Sequence, residues 1–236
     1  FGSDGKLYAS DWVFGWEGEN KGRLYTFFDP AQVDSPLVKQ VENLLKSGLK
    51  DQTAENLKSL MGHLDQRVRQ EAQFELVERT DIATLKSVAI DTQEDPLARV
   101  HAIWGIGQLG RAGSLAEDAA GILGSLFQDS DWHVVAAAAA TLGEVELKSS
   151  RSLAALLSHK NLRVRFRAAL ALANHGDSGD VPAIAKMLIE NADKDPMVRH
   201  GGIMALNGIF TRKESNAVAD LAKHESRSVR IAVCVA

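Results

Sequence analysis

The sequence predicts an all-α protein, a right-handed α-solenoid of about six helix pairs preceded by a short N-terminal β-hairpin. Three observations indicate this fold. One helix-start pattern recurs every 30 to 36 residues beyond residue 50, which is the signature of stacked repeats. From about Asp34 the chain is rich in Leu, Ala, Lys, Glu and Gln, which favour helix. Eight of the 14 aromatic residues, in contrast, lie within the first 28 positions.

Residues 1–30 are expected to form the hairpin. Residues 6–10 and 23–27 carry the apolar and aromatic side chains that are typical of strands. The intervening loop is rich in glycine, and Pro30 ends the second strand because proline cannot donate to a ladder. An isolated hairpin is only marginally stable in water. We therefore expect its apolar face to pack on the first helices and to cap the helix stack.

Residues 31–50 are expected to form a connecting helix. Ser35 is a suitable N-cap and Pro36 a suitable first helical residue. The helix should extend to about Lys46, and Gly48 should close it.

The repeats occupy residues 51–236. Each second helix is marked by a small aliphatic anchor residue: Val68, Ala98, Val134, Val164, Val198 and Val229. Three residues before each anchor stands a side chain that can cap a helix: Asp65, Asp95, Asp131, Asn161, Asp195 and Ser226. Small or aliphatic residues follow four and eight positions after the anchors, on the same helical face. Each pair must stack on its neighbours to bury its apolar face.

Four of these segments carry a family resemblance. "DQRVRQEAQFEL", "DPLARVHAIWGI", "NLRVRFRAALAL" and "DPMVRHGGIMAL" resemble HEAT repeats, in the short form also seen in phycobilin-lyase-like proteins. The resemblance covers residues 51–236. It implies the fold but not one function, since such arrays serve as scaffolds, adaptors, lyases and DNA-binding enzymes.

The N-terminal stretch carries a second resemblance. "DGKLYASDWVFGWEGENKGRLYTF" resembles the last blade of a β-propeller of the soluble sugar-dehydrogenase-like type, found in large secreted bacterial proteins of the planctomycete type. In them the propeller continues directly into HEAT repeats, and a c-type cytochrome domain follows. The resemblance implies an internal fragment of a periplasmic or secreted haem-binding or dehydrogenase-like protein. Its last repeat stops at Ala236, and no CxxCH motif surrounds Cys234, so haem c or PQQ is expected only in the parent protein.

An arginine row and one tryptophan are candidate partner contacts. Arginine follows the anchor in five repeats: Arg69, Arg99, Arg165, Arg199 and Arg230. The row could grip carboxylates or phosphates, or it could form a structural ladder to capping Asp side chains or carbonyls of the adjacent repeat. The ladder is favoured because Val135 interrupts the row. Trp132 is expected to be the one exposed aromatic residue of the solenoid and a candidate partner contact, but packing over the adjoining turn is favoured over that role.

Histidines and glycines give no sign of a catalytic, metal or nucleotide site. The repeat-equivalent histidines should meet free carbonyls at the ends of the first helices: His63, His159 and His224. The others are expected at the surface: His101, His133, His175 and His200. Residues 105–110 match GxGxxG, but inside a helix that Gly110 should end, so we expect no nucleotide binding there.

The composition argues against two classes of protein. The net charge of −4 disfavours a general nucleic-acid binder, and no apolar run is long enough to span a membrane. We expect a non-catalytic scaffold that holds neighbouring domains of the same chain or binds a protein partner. The first alternative is part of a sugar or alcohol dehydrogenase whose active site lies in the missing propeller. The second is a lyase-like or nucleic-acid-binding HEAT protein.

Overall fold

The computed structural model describes residues 1–11, 22–113, 115–146, 151–213 and 216–236. Within these ranges the chain is helical apart from one two-stranded sheet near the N-terminus. The predicted helical-repeat fold is therefore confirmed. The chain divides into two compact units, residues 1–75 and 76–236.

The first unit begins with the predicted hairpin. Strands β1 (Leu7–Ser10) and β2 (Leu24–Phe27) pair antiparallel with Tyr8 opposite Thr26. Residues 12–21 of the predicted loop lie outside the described residues. Three helices follow: α1 (Pro36–Ser47), α2 (Ala54–Leu60) and α3, which begins at Gln66 and ends at Glu78. As predicted, Ser35 caps α1 by accepting a hydrogen bond from the Val38 amide.

The hairpin strands are exposed on both faces, so the predicted burial of an apolar face is wrong for the strands. Their large side chains remain exposed to solvent, with Leu24 and Phe27 more than half exposed. The segment before β1 meets the helices. A β-carbon at Gly5 would lie 3.0 Å from the side chain of Val38, and Arg67 donates to the carbonyl oxygen of Phe1 at 3.2 Å.

The second unit consists of five helix pairs, listed here as first helix and second helix. They are α4 (Ile82–Ile90) with α5 (Pro96–Arg111), α6 (Ala116–Ser125) with α7 (Trp132–Leu142), α8 (Arg151–Ala155) with α9 (Leu162–His175), α10 (Val181–Asn191) with α11 (Pro196–Lys213), and α12 (Asn216–Asp220) with α13 (Arg227–Val235). Short 3-10 turns extend α6, α8 and α12 at their C-terminal ends. With α2 and α3, the six predicted pairs are present.

The predicted anchors form the core. All six are fully buried, and so are most residues four and eight positions later, such as Ala102 and Ile106 on α5. The predicted caps also hold in five repeats. Asp65, Asp95, Asp131, Asn161 and Asp195 each accept a hydrogen bond from the amide two residues on, at 2.8 Å. Ser226 makes no such side-chain bond.

Second helices of the second unit pack side by side in chain order, from α5 through α13. Glycine permits their close approach. A β-carbon at Gly143 would lie 2.8 Å from Cα of Ala171 on α9, and one at Gly201 would lie 3.1 Å from Cβ of Ala169. The second helices therefore form one closely packed layer, and the first helices cover its other side.

Candidate binding surface of the second helices

The arginine after each anchor binds the turn of its own repeat in three cases. Arg69 Nη1 donates to the carbonyl oxygens of His63 and Leu64 at 2.7 and 2.9 Å. Arg230 makes the equivalent two bonds at 2.7 and 2.8 Å. Arg165 donates through Nε to the carbonyl six positions upstream at 2.5 Å. These carbonyls lie just past the first helices, where the chain offers them no helical partner.

Arg99 instead joins two repeats. Its Nε donates to the carbonyl oxygen of Ala89 at 3.0 Å, and its guanidinium pairs with Asp129 of the next repeat. The two charged side chains are only 4% and 7% exposed. Burial alone would raise the pKa of the Asp129 carboxyl, but hydrogen bonds from Arg99 and from the Asp131 amide outweigh it and hold that pKa below its usual value.

The acidic partners of Arg165 and Arg199 show that the predicted ladder between repeats is incomplete. Arg165 also reaches Glu190 of the next repeat at 3.2 Å, whereas Arg199 lies 3.8 Å from Asp193 in its own turn. Bonding to the adjacent repeat is thus confined to Arg99 and Arg165. The expectation was wrong for the others because sequence position does not tell which carbonyls the side chain can reach. All five arginines are engaged within the chain, which favours the structural interpretation of the row.

Three repeat-equivalent histidines bind differently from the prediction. Instead of donating to carbonyls, the Nδ1 atoms of His63, His159 and His224 accept the amides of the residues two positions on, each at 3.0 Å. The backbone carbonyl of the same histidine accepts from the repeat arginine. Each imidazole therefore closes the turn between the two helices, and the three copies share the spacing His-x-Asp/Asn/Ser-x-x-Val-Arg.

The other histidines are not all at the surface. His133 and His200 are exposed as expected, but His101 is buried, so its predicted position is wrong. His175 is half-buried, and its Nε2 lies 3.0 Å from the carbonyl oxygen of Gly143. Burial lowers the pKa of His175, and the nearby charge of Arg212 lowers it further, against the effect of the Gly143 bond.

Trp132 is half-buried rather than freely exposed. Its ring stacks on His133 with centroids 3.6 Å apart, and it lines a groove of about 740 Å³ with Phe127 and Lys160. It thus packs over its adjoining turn and stays partly exposed. The expectation that it is the one exposed aromatic residue of the solenoid is wrong, because Trp104 on α5 is 45% exposed.

The GxGxxG segment serves helix packing. Gly107 and Gly110 both lie inside α5, which continues to Arg111, so the prediction that Gly110 ends the helix is wrong. A β-carbon at Gly110 would lie 2.8 Å from Cβ of Ala119 on α6. These glycines therefore admit neighbouring side chains, and they do not form a strand-to-helix phosphate loop.

The sequence interpretation missed an exposed apolar row on the second helices. Leu97 and Trp104 on α5, and Met197 and Met204 on α11, are all more than a third exposed. They occupy the positions one before and six after the anchors of the second and fifth repeats, which lie on one helical face. Reading these two positions in those two repeats would have found them.

No group of three or more His, Cys, Asp or Glu side chains in the described part of the chain could hold a metal ion. No described helix is long and apolar enough to cross a membrane.

Comparison with known proteins agrees with the repeat architecture. The family model for HEAT repeats matches residues 82–160, 125–207 and 151–236. No curated protein matches the chain. Among solved structures, Escherichia coli YibA is 17% identical, with 81% of this chain and 72% of that chain covered and a TM-score of 0.54. At this identity, the likeness shows the fold alone.

Two further solved structures are similar at TM-scores below 0.5. A designed armadillo repeat protein is 18% identical, with 78% of this chain and 98% of that chain covered and a TM-score of 0.46. Human deoxyhypusine hydroxylase in complex with glycerol is 18% identical, with coverages of 86% and 90% and a TM-score of 0.36.

Proposed function

The chain belongs to the HEAT-repeat proteins, and on this premise we propose that it is a non-catalytic scaffold that binds a protein partner or holds neighbouring domains in place. The observation that carries the proposal is the closely packed layer of second helices in residues 76–236. Backbone contacts at Gly143 and Gly201 bring neighbouring second helices close together, and such contacts give an array little freedom to change its spacing. The same layer exposes a row of apolar side chains to a partner.

We further propose that the wider protein is an extracytoplasmic, multidomain haem-binding or dehydrogenase-like protein. Support comes from the resemblance of the N-terminal stretch to a propeller blade and from the exposure of β1 and β2. Their unburied apolar side chains suit strands that pair with other strands of a sheet. Haem c or PQQ would then bind to other domains of that protein, and its compartment would be periplasmic or extracellular.

A second candidate is enzymatic at the level of the wider protein. In it the propeller would oxidise a sugar or an alcohol, and the solenoid would border the active site. The exposed hairpin favours this candidate over the lyase-like and nucleic-acid-binding alternatives, which receive no support from it.

The scaffold proposal predicts that the repeats fix the distance between the domains on either side. Spin labels in the two flanking domains of the longer protein should give a narrow distance distribution by double electron–electron resonance. Replacing residues 76–236 with a Gly/Ser linker should broaden it, because such linkers are flexible coils. An equally broad distribution with the native repeats would contradict the proposal.

Enzymatic chemistry is tested separately. Haem absorbance and dye-linked dehydrogenase activity should be measured in the longer protein and in residues 1–236 alone. We expect both signals only in the longer protein. Turnover by residues 1–236 alone would contradict the non-catalytic assignment.

A further inference from the structure

The second helices of residues 76–236 contain no acidic residue. α5, α7, α9, α11 and α13 lack both Asp and Glu but carry several arginines. The protein as a whole has a net charge of −4, so its acidic residues lie outside these five helices. α3, the second helix of the preceding pair, carries three glutamates. The acid-free run therefore begins at α5 and includes every later second helix.

Both arginines on the exposed side of α9, Arg163 and Arg167, have no acidic partner among the described residues. Arg163 and Arg167 lie one turn apart on α9 and hence on the same helical face. The Arg167 guanidinium lies 5.6 Å from the ring centroid of Phe166, which holds it against the helix surface. By contrast, Arg99 and Arg165 are already paired with Asp129 and Glu190. The two unpaired guanidinium groups can each bind a carboxylate through two parallel hydrogen bonds.

Apolar side chains flank these arginines on the same layer. Leu97 and Trp104 are exposed on α5, and Met197 and Met204 on α11. The helices between them carry smaller or polar side chains at the same two positions, His133 and Ala140 on α7 and Arg163 and Leu170 on α9. Aromatic and methionine side chains of this kind are enriched in binding surfaces.

We propose that the exposed face formed by Leu97, Trp104, Arg163, Arg167, Met197 and Met204 binds an acidic polypeptide segment with interspersed apolar side chains. Carboxylates of the segment pair with the two arginines on α9, and its apolar side chains contact the exposed apolar side chains of α5 and α11. The helices themselves carry no Asp or Glu, and the nearest capping carboxylates, Asp95 and Asp195, are bonded to the amides of Leu97 and Met197, so the two arginines supply the charge complementarity. This inference rests on the proposed scaffold function and specifies the chemistry of its partner.

The same observations disfavour nucleic acid. A phosphate backbone is held by several cations in series, and affinity rises with each phosphate neutralised. Arg163 and Arg167 are two cations on one helix, and the rest of the face is apolar. A peptide with both charged and apolar side chains therefore matches the face better than a chain of phosphates.

The test uses the whole chain and four labelled probes in a fluorescence anisotropy titration. The first is a short peptide with Asp and Glu interspersed among Leu and Phe. The second has Lys in place of the acidic residues, and the third has Ser in place of the apolar ones. The fourth is a single-stranded oligonucleotide of similar charge. We expect the first peptide to bind most tightly and to weaken as salt rises from about 0.05 to about 0.3 M.

Two substitutions on the face are matched by two elsewhere in the same unit. Trp104→Ala and Arg167→Glu should each weaken binding of the first peptide by about tenfold or more. Ile189→Ala removes an equally exposed apolar side chain from a first helix, and Lys186→Glu reverses an exposed charge there. Both controls should leave the affinity unchanged, and circular dichroism should show that all four variants are folded.

The outcomes separate this inference from the scaffold proposal. Equal affinity for the basic peptide, or no effect of Arg167→Glu when Trp104→Ala weakens binding, overturns the acidic partner but leaves protein binding intact. Tighter binding of the oligonucleotide also overturns it. If no peptide binds, the inference fails, whereas the distance measurement on the flanking domains still decides the scaffold proposal independently.

Discussion

Removing the charge of Asp129 should destabilise the second unit far more than removing the charge of Glu144. Both acids pair with an arginine of the preceding repeat, Arg99 and Arg111 respectively. The first pair is buried, with side chains 4% and 7% exposed, and the second is exposed, with side chains 42% and 57% exposed. The two ion pairs both join neighbouring repeats and differ in burial, so comparing them isolates the effect of burial on stability.

The magnitude follows from burial. In Asp129→Asn the amide oxygen can still accept the hydrogen bond from the Asp131 amide, but the Arg99 charge loses its partner. Leaving one charge of a buried pair uncompensated costs about 3–5 kcal/mol. For a unit of this size, this corresponds to a fall in Tm of about 6–20 °C, at about 2–4 °C per kcal/mol. An exposed pair contributes about 0–1 kcal/mol, so Glu144→Gln should change Tm little.

The pH dependence has a defined sign. The folded-state pKa of Asp129 is lowered, so its contribution to stability is present above the unfolded carboxyl value of about 4. The contribution is lost as pH falls from there through the folded-state pKa. The wild-type protein should therefore lose its advantage over Asp129→Asn below about pH 4.

Urea unfolding followed by circular dichroism, at pH 7 and at steps toward pH 3, measures these free energies. The double variant Arg99→Met/Asp129→Leu should be more stable than either single charge removal, because an apolar pair leaves no uncompensated charge. Equal destabilisation by Asp129→Asn and Glu144→Gln would refute the reasoning. A double variant no more stable than Asp129→Asn would also refute it.

Three further predictions use the same unfolding assay. Gly143→Ala should cost about 1–3 kcal/mol because its β-carbon meets the α9 backbone, whereas Gly121→Ala, in open space on α6, should stabilise by up to about 1 kcal/mol. Asp195→Ala should cost about 1 kcal/mol because two first-turn amides lose their acceptor, and Ser226→Ala, which removes no cap bond, should cost much less. The pKa of His175 is lowered in the folded state, so its contribution to the free energy of unfolding is full above the unfolded value of about 6.5 and is lost as pH falls from there through the folded value. His175→Gln should remove this part of the pH dependence of stability, and an unchanged pH dependence would contradict the prediction.

The repeat architecture was predictable because its signals are local. Each anchor is an aliphatic or small residue three positions after a capping side chain, and both properties depend only on neighbours along one helix. The cap bonds of Asp65 and Asp195 and the complete burial of Val134 and Val164 confirm this. Ser226 was the exception, since its suitability as a cap did not lead to a side-chain bond.

Side-chain directions and long-range packing were less predictable. Whether Arg99 reaches its own turn or Asp129 depends on how far apart two repeats lie, which the sequence does not state. The exposed hairpin was predicted to be buried because its side chains are apolar, but burial depends on what surrounds the strands. Trp104 was missed for a different reason. Its exposed position recurs in the fifth repeat at Met204, so the pattern was present in the sequence but was not compared from repeat to repeat.

The glycine contacts between second helices also determine how this unit can deform. At Gly143 and Gly201 main chains of adjacent helices are already near van der Waals contact, so that layer resists compression. Bending of this unit must then mainly change the distances between neighbouring first helices, while the distances between second helices stay nearly constant. A load applied along the array would be stored as strain in the outer layer, and amide hydrogen exchange there should respond before exchange in the second helices.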